Sequence, residues 1–151
     1  MNFIKNLFKK EKKEPLEKKF NPSPLQIAIS TILVRTAKID DEFHVLEEDK
    51  IIDLLVEYFL LDKNDSIILM SVGLEEEKNA IDLYSYTSVI KNELSLTDRK
   101  KILEMMWQII ITDKNFDPYE NNLVWRVAEL IGISTRERVQ IKKDFLHKIN
   151  E

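Results

Sequence analysis

The chain has 151 residues, 44% of them hydrophobic, enough for one domain of ordinary size with its own core. It contains no Cys, which excludes a disulfide framework and thiolate chemistry, and its two Gly and four Pro favour helix over sheet. Residues 1–20 carry seven Lys and three Glu, a net of +4; the whole chain is −4, so residues 21–151 carry −8, and an acidic body argues against nucleic-acid binding.

Residues 1–22 read as a basic amphipathic tail and linker, and residues 23–151 as the folded domain. In the tail, Phe3, Ile4, Leu7 and Phe8 fall on one helical face, and Lys5, Lys9 and Lys10 lie elsewhere. Such a segment can enter a membrane interface while its lysines meet anionic lipid, a weak and reversible contact through residues 1–13. A helix docked on its own domain and a partner-binding helix are the other readings of the same face. No apolar run approaches the roughly 20 residues of a spanning helix. The lysines also interrupt any signal-peptide core. The expected location is the cytoplasm, with peripheral contact at the inner membrane face.

The first helix opens at Ser23-Pro24-Leu25-Gln26, with Ser at N-cap, Pro at N1 and Gln at N3. It is predicted to run to about Lys38, with Leu25, Ile29, Ile32, Leu33 and Thr36 inward. A second helix spans about 46–60 on a stripe of Ile51, Leu54, Leu55 and Tyr58. Asp62–Asp65 caps a third, through Ile67, Ile68, Met70 and Leu74, with Gly73 weakening it. A fourth covers about 82–93. Thr97-Asp98 caps a fifth, which carries Ile102, Met105, Met106, Ile109 and Ile110. Asp117-Pro118-Tyr119-Glu120 starts a sixth that ends at Gly132. Ser134-Thr135-Arg136-Glu137 opens the last, with Val139, Phe145, Leu146 and Ile149 available for packing. Seven helices with short turns make an all-α, compact bundle.

Two turns share one pattern: Asp40 with Phe43 and Glu47, and Asp113 with Phe116 and Glu120, the copies lying 73 positions apart. The same shift pairs Ile29 with Ile102, Ile32 with Met105, Leu33 with Met106, Ala37 with Ile110, Ile51 with Val124 and Leu54 with Val127. Apolar matches on both sides of the turn predict two related helix-turn-helix hairpins.

On these residues the chain resembles the tellurite-resistance protein B (TerB)-like domains. Their acidic turn, Ala-x-x-Asp-Gly-x-hydrophobic-x-x-x-Glu, is matched by Ala37 through Glu47 and again from Ile110 through Asp113 and Phe116 to Glu120. Ile131-Gly132-Ile133 is similar to the end of the family's second hairpin. The likeness spans about 24–149. Asp41 and Lys114 stand where the family has Gly, so either these residues take positive φ or the turn differs. The resemblance implies about seven helices, a bacterial intracellular setting and a link to tellurite or general stress responses. It also implies a divalent-cation site on acidic residues, and it carries no reaction.

The turns admit two readings. Asp40, Asp41, Glu47, Asp113, Asp117 and Glu120 are hard oxygen ligands suited to Ca²⁺ or Mg²⁺. Asp113-x-Asn115-x-Asp117 copies the start of an EF-hand loop, but Pro118 and Val124 stand where that loop needs Gly and Glu. The other reading is structural: the same acids cap helices, each gaining roughly 0.3–1 kcal/mol from the helix dipole. Catalysis has little support. His44 and His147 are the only histidines and lie far apart, and no phosphate loop or nucleophile motif occurs. Trp107 and Trp125 each belong to an apolar helical face. The expected function is a non-enzymatic interaction or sensing module, with a divalent-cation-binding protein as the alternative.

Overall fold

The computed structural model describes residues 19–38, 45–112 and 118–150; the side chains of residues 118–121 lie outside the description. Seven helices occur among the described residues: α1 Pro24–Ala37, α2 Val45–Phe59, α3 Lys63–Asn79, α4 Tyr84–Glu93, α5 Leu96–Ile110, α6 Pro118–Leu130 and α7 Thr135–Ile149. No strand forms among these residues.

Local chemistry sets most of the boundaries. Ser23 Oγ accepts from Gln26 N at 3.1 Å, Gln26 Oε1 accepts from Ser23 N at 2.9 Å, and Pro24 fills the first helical position. The same box recurs at α7, where Ser134 and Glu137 cap each other. Gly132 ends α6 with φ +78°, its neighbour Ile133 donating back to Ala128 O at 2.8 Å. The end of α2 uses the same left-handed device at Leu60, φ 54°, at the steric cost a Cβ imposes. Two predicted starts shift. Ser95, rather than Thr97-Asp98, caps α5 and accepts from Asp98 N at 3.3 Å. Helix α4 begins at Tyr84 after Asp82 Oδ1 takes the Tyr84 N–H.

Helix α1 departs most from its predicted single stripe. It carries no charge before Arg35 and is buried on every side: Ile29, Ile32, Leu33 and Val34 are fully enclosed, and so are Ser30 and Thr31. Its hydroxyls bond to carbonyls, Thr31 to Ile27 O, Thr36 to Ile32 O and Ser30 across to Leu69 O at 2.9 Å. Leu25, expected inward, is only half-buried.

Helix α3 turns a small-residue face inward, through Ser66, Leu69, Met70, Gly73 and Glu77. Ile67 and Ile68 face outward. Small residues there let neighbouring backbones approach. Ser66 Oγ donates to Ile52 O of α2 at 2.7 Å, and Gly73 lies against Ser30 of α1. In α7 the buried residue is Ile141, while Val139 and Ile149 remain exposed.

All six apolar pairs of the 73-residue repeat are buried in both copies. The hairpin α1–α2 therefore has a counterpart in α5–α6, and both lead helices are central. Helix α1 packs on α2, α3, α4 and α5, and α5 on α1, α2, α6 and α7.

A Cβ at position 73 would overlap Ser30 Oγ and sit 2.9 Å from the Ser30 carbonyl carbon. Gly73→Ala is therefore expected to destabilise the chain by about 1–3 kcal/mol despite the better helix propensity of Ala. Ser30→Ala in the same chain recovers part of that loss, and urea unfolding of both single variants and the double variant measures the coupling.

Candidate functional site

Helices α2 and α5 run antiparallel. Lys50 lies opposite Gln108 and Ile111, and Tyr58 lies opposite Asp98. The start of α2 and the end of α5 therefore share one end of the bundle, and the helix ends that flank both acidic turns meet there. We call it the turn end. Helix α7 runs alongside α5 in the same direction, because Lys100 pairs with Glu137 at 2.9 Å while Lys142 lies over the Trp107 ring at 5.1 Å.

Between α2, α5 and α7 runs a surface groove. The half distant from the turn end, about 480 Å³, is lined by Leu54, Glu57, Tyr58, Asp98, Lys101 and Met105 among others. The half nearer the turn end, about 390 Å³, has Ile111, Ile141, Phe145 and Ile149 on its walls and Lys50, Asp144 and Lys148 at its rim. Glu104 and Gln108 line both halves. Burial, and then the nearby Asp98 charge, raise the Tyr58 hydroxyl above its usual value and keep it protonated. Polar and charged groups make up more of the distant half, and polar and apolar groups share the nearer half about equally. An elongated surface of this kind suits a partner helix better than a small polar substrate.

At the turn end a second cluster fixes where the first turn begins. Glu77 of α3, only 7% exposed, accepts from Arg35 Nη1 and from Lys38 Nζ, each at 3.0 Å. Burial alone would push the Glu77 carboxyl up, but the hydrogen bonds and charges of Lys38 and Arg35 outweigh it and hold the group below its ordinary 4.5. Lys38 is the C-cap of α1, so this clamp ties the last residue before the turn to α3. The second hairpin has its own clamp at the other end: Arg99 Nη1 donates to Ile131 O at 2.6 Å and its Nε to Leu94 O at 3.2 Å.

Of the predicted ligand set, Asp40, Asp41, Asp113 and Asp117 lie outside the described residues. So do the side chain of Glu120, residues Phe43, His44 and Phe116, and the tail residues Phe3, Ile4, Lys5, Leu7, Phe8, Lys9 and Lys10. Glu47 is described. It sits in the first turn of α2, 5% exposed, and its carboxylate is engaged within the fold. Among the described residues no group of three or more acidic, His or Cys side chains is arranged to hold a metal. Trp107 is buried as expected, whereas Trp125 is 50% exposed beneath Arg138, 5.6 Å from the ring centre.

The sequence profile described as Tellurite resistance protein TerB matches residues 26–143. The chain belongs to the TerB family. The match begins inside α1 and ends inside α7, so it includes both hairpins and the α2 and α5 walls of the groove, while Asp144, Phe145, Lys148 and Ile149 lie beyond it. A search of curated proteins found no significant match, and a search of solved structures found none. No helix among the described residues is long and apolar enough to cross a membrane.

Sequence reasoning did not find the groove, because its walls come from three helices far apart in the chain. It also missed the Glu77 clamp. Lys38 and Glu77 are 39 positions apart, and only a buried acid on an otherwise inward face marks the site.

The depressed Glu77 carboxyl contributes stability that is present above the ordinary value of 4.5 and lost as pH falls through its lower folded value. At pH 7 Glu77→Gln is expected to cost about 1–3 kcal/mol, the range for removing one partner from a buried charged hydrogen bond. Urea midpoints recorded downward from pH 5 should show the gap between variant and parent closing.

Proposed function

We propose that this TerB domain is a non-enzymatic interaction and sensing module of the bacterial tellurite-resistance type, held at the inner face of the membrane by its N-terminal segment. The observation that carries the reading is the groove between α2, α5 and α7. It mixes polar and apolar groups along its length, and Glu57, Lys101 and Glu104 there project from the exposed sides of their helices. Such a surface takes an amphipathic helix of a protein partner by its apolar face and orients it by its charges. The segment Phe3, Ile4, Leu7 and Phe8 with Lys5, Lys9 and Lys10 supplies a reversible lipid contact of the one-signal kind.

Residues 1–20 and the groove are therefore the parts expected to matter in cells. Deleting residues 1–20 should abolish cosedimentation with anionic vesicles and, in a host whose tellurite tolerance depends on this gene, that tolerance. Glu57→Lys with Glu104→Lys should abolish the tolerance while leaving the helical content measured by circular dichroism unchanged. Asp40→Asn with Asp113→Asn should leave tolerance intact, and the reverse ranking would sink the reading.

A second reading is favoured by one specific feature. The helix ends that flank both acidic turns share one end of the bundle, and the buried Glu47 carboxylate opens α2 there. On this reading Asp40, Asp41, Glu47, Asp113, Asp117 and Glu120 hold Ca²⁺ or Mg²⁺. A cation at a hundred times its dissociation constant adds about 2.7 kcal/mol, a rise of several degrees in the unfolding midpoint. Calorimetry with EDTA and then with millimolar Ca²⁺ or Mg²⁺ should show that rise in the parent chain and none in Asp40→Asn/Asp113→Asn.

A further inference from the structure

The groove follows α5 from Asp98 to Ile111, roughly 20 Å at the helical rise of 1.5 Å per residue. Its half distant from the turn end is acidic: Asp98 pairs with Lys101 at 3.4 Å, and Glu57 and Glu104 carry the excess. That same end is where α1 begins. Helices α1 and α2 are joined by a short turn and so run antiparallel, and α2 is antiparallel to α5. The described chain therefore begins, at Lys19 and the half-buried Phe20, at the same end of the bundle as the acidic half of the groove.

We propose that the chain's own N-terminal segment, residues 3–10, occupies this groove. Phe3, Ile4, Leu7 and Phe8 would lie against Leu54, Met105 and Phe145, with Lys5, Lys9 and Lys10 toward Glu57 and Glu104. Three features carry the assignment. The charges are complementary, because residues 1–10 hold three lysines and no acid. The lengths agree: eight helical residues span about 12 Å, within the groove, and the eight residues of the linker 11–18 reach up to about 26 Å. The tether also raises the effective concentration of the segment to the order of millimolar, so even a groove affinity near 100 μM keeps it mostly docked. The assignment rests on the groove being an interaction surface. It makes residues 3–10 an intramolecular cover in lipid-free solution, which a partner helix must displace and which leaves the groove when the segment enters a membrane.

The absence of native Cys allows a direct test. A nitroxide placed on the full-length chain through Asn6→Cys should broaden the amide resonances of Glu104, Gln108 and Asp144 in lipid-free solution, and leave those of α4, on the other side of the bundle, sharp. Glu57→Lys with Glu104→Lys should restore the lost intensity, and so should Phe3→Ser with Phe8→Ser. The chemical shifts of the remaining core report that both variants stay folded. No broadening in the groove overturns the proposal. So does broadening that neither variant relieves, or broadening of a ¹⁵N chain by a separate spin-labelled copy, which would make the occupant a second molecule. A null spectrum beside lost tellurite tolerance in the groove variant removes the tail as occupant and leaves the groove as a working surface. Broadening beside retained tolerance does the opposite.

Discussion

At Ser30 and Gly73 the backbones of α1 and α3 approach until a single added methyl group would not fit, and α1 has no solvent-facing side toward which to move. A helix apolar all round has to be covered all round. Four helices do this, α2, α3, α4 and α5, and the small residues of α3 set how near one of them comes. The polar groups this traps are satisfied locally, Ser30 on Leu69 O and Thr36 on Ile32 O, so enclosing them costs little. Gly73 weakens α3 as an isolated helix and is required by the assembled one.

The two hairpins solve the same packing problem with different ends. In both, the lead helix is central and the six matched apolar positions are buried. The first hairpin is anchored at the turn end, by Glu77 between Arg35 and Lys38. The second is anchored at the opposite end, where Arg99 holds the last carbonyls of the α6 region and Lys100 pairs with Glu137. Hydrogen bonds from Ser134 and Lys100 hold the exposed Glu137 carboxyl down at about 2, so its charge persists across the physiological range. The repeat thus conserves the core and varies the polar fastenings. Two turns of one pattern can then differ in what their helix ends are tied to.

Much of this fold was legible in the sequence wherever the signal is local. Ser23-Pro24-Leu25-Gln26, Ser134 to Glu137 and Gly132 each act within a few residues, and each forms the expected cap. The apolar repeat was legible because burial on a helix face is periodic. What failed depended on neighbours. Ile67 and Ile68 are as hydrophobic as Leu69 and Met70, yet they lie outside because Ser66 and Gly73 define the approachable face. Ser95 outcompeted Thr97-Asp98 as a cap because Asp98 serves three residues further on, donating its N–H to Ser95. The acidic turns were legible as a motif, and Glu47 is the one of their predicted ligands whose side chain the structure describes.

The clamp and the groove differ in what the fold asks of their residues. Residues that hold the bundle together are buried, paired and distributed around α1 and α5. Glu77 and Arg99 have little freedom to do anything else, and their geometry explains their presence. Along the groove the fold makes no comparable demand. Glu57, Lys101 and Glu104 are exposed; Lys101 pairs with Asp98 at 3.4 Å one turn before it, and Asp144 accepts from Gln140 at 2.7 Å on the helix surface. Beneath them Leu54, Met105 and Ile141 are buried, while Phe145 is left only partly covered. This partly covered seam edged by exposed charges is the surface on which the proposed partner would dock. The basic amphipathic segment that precedes the domain is the nearest chain of matching chemistry, and its linker begins at the same end of the bundle.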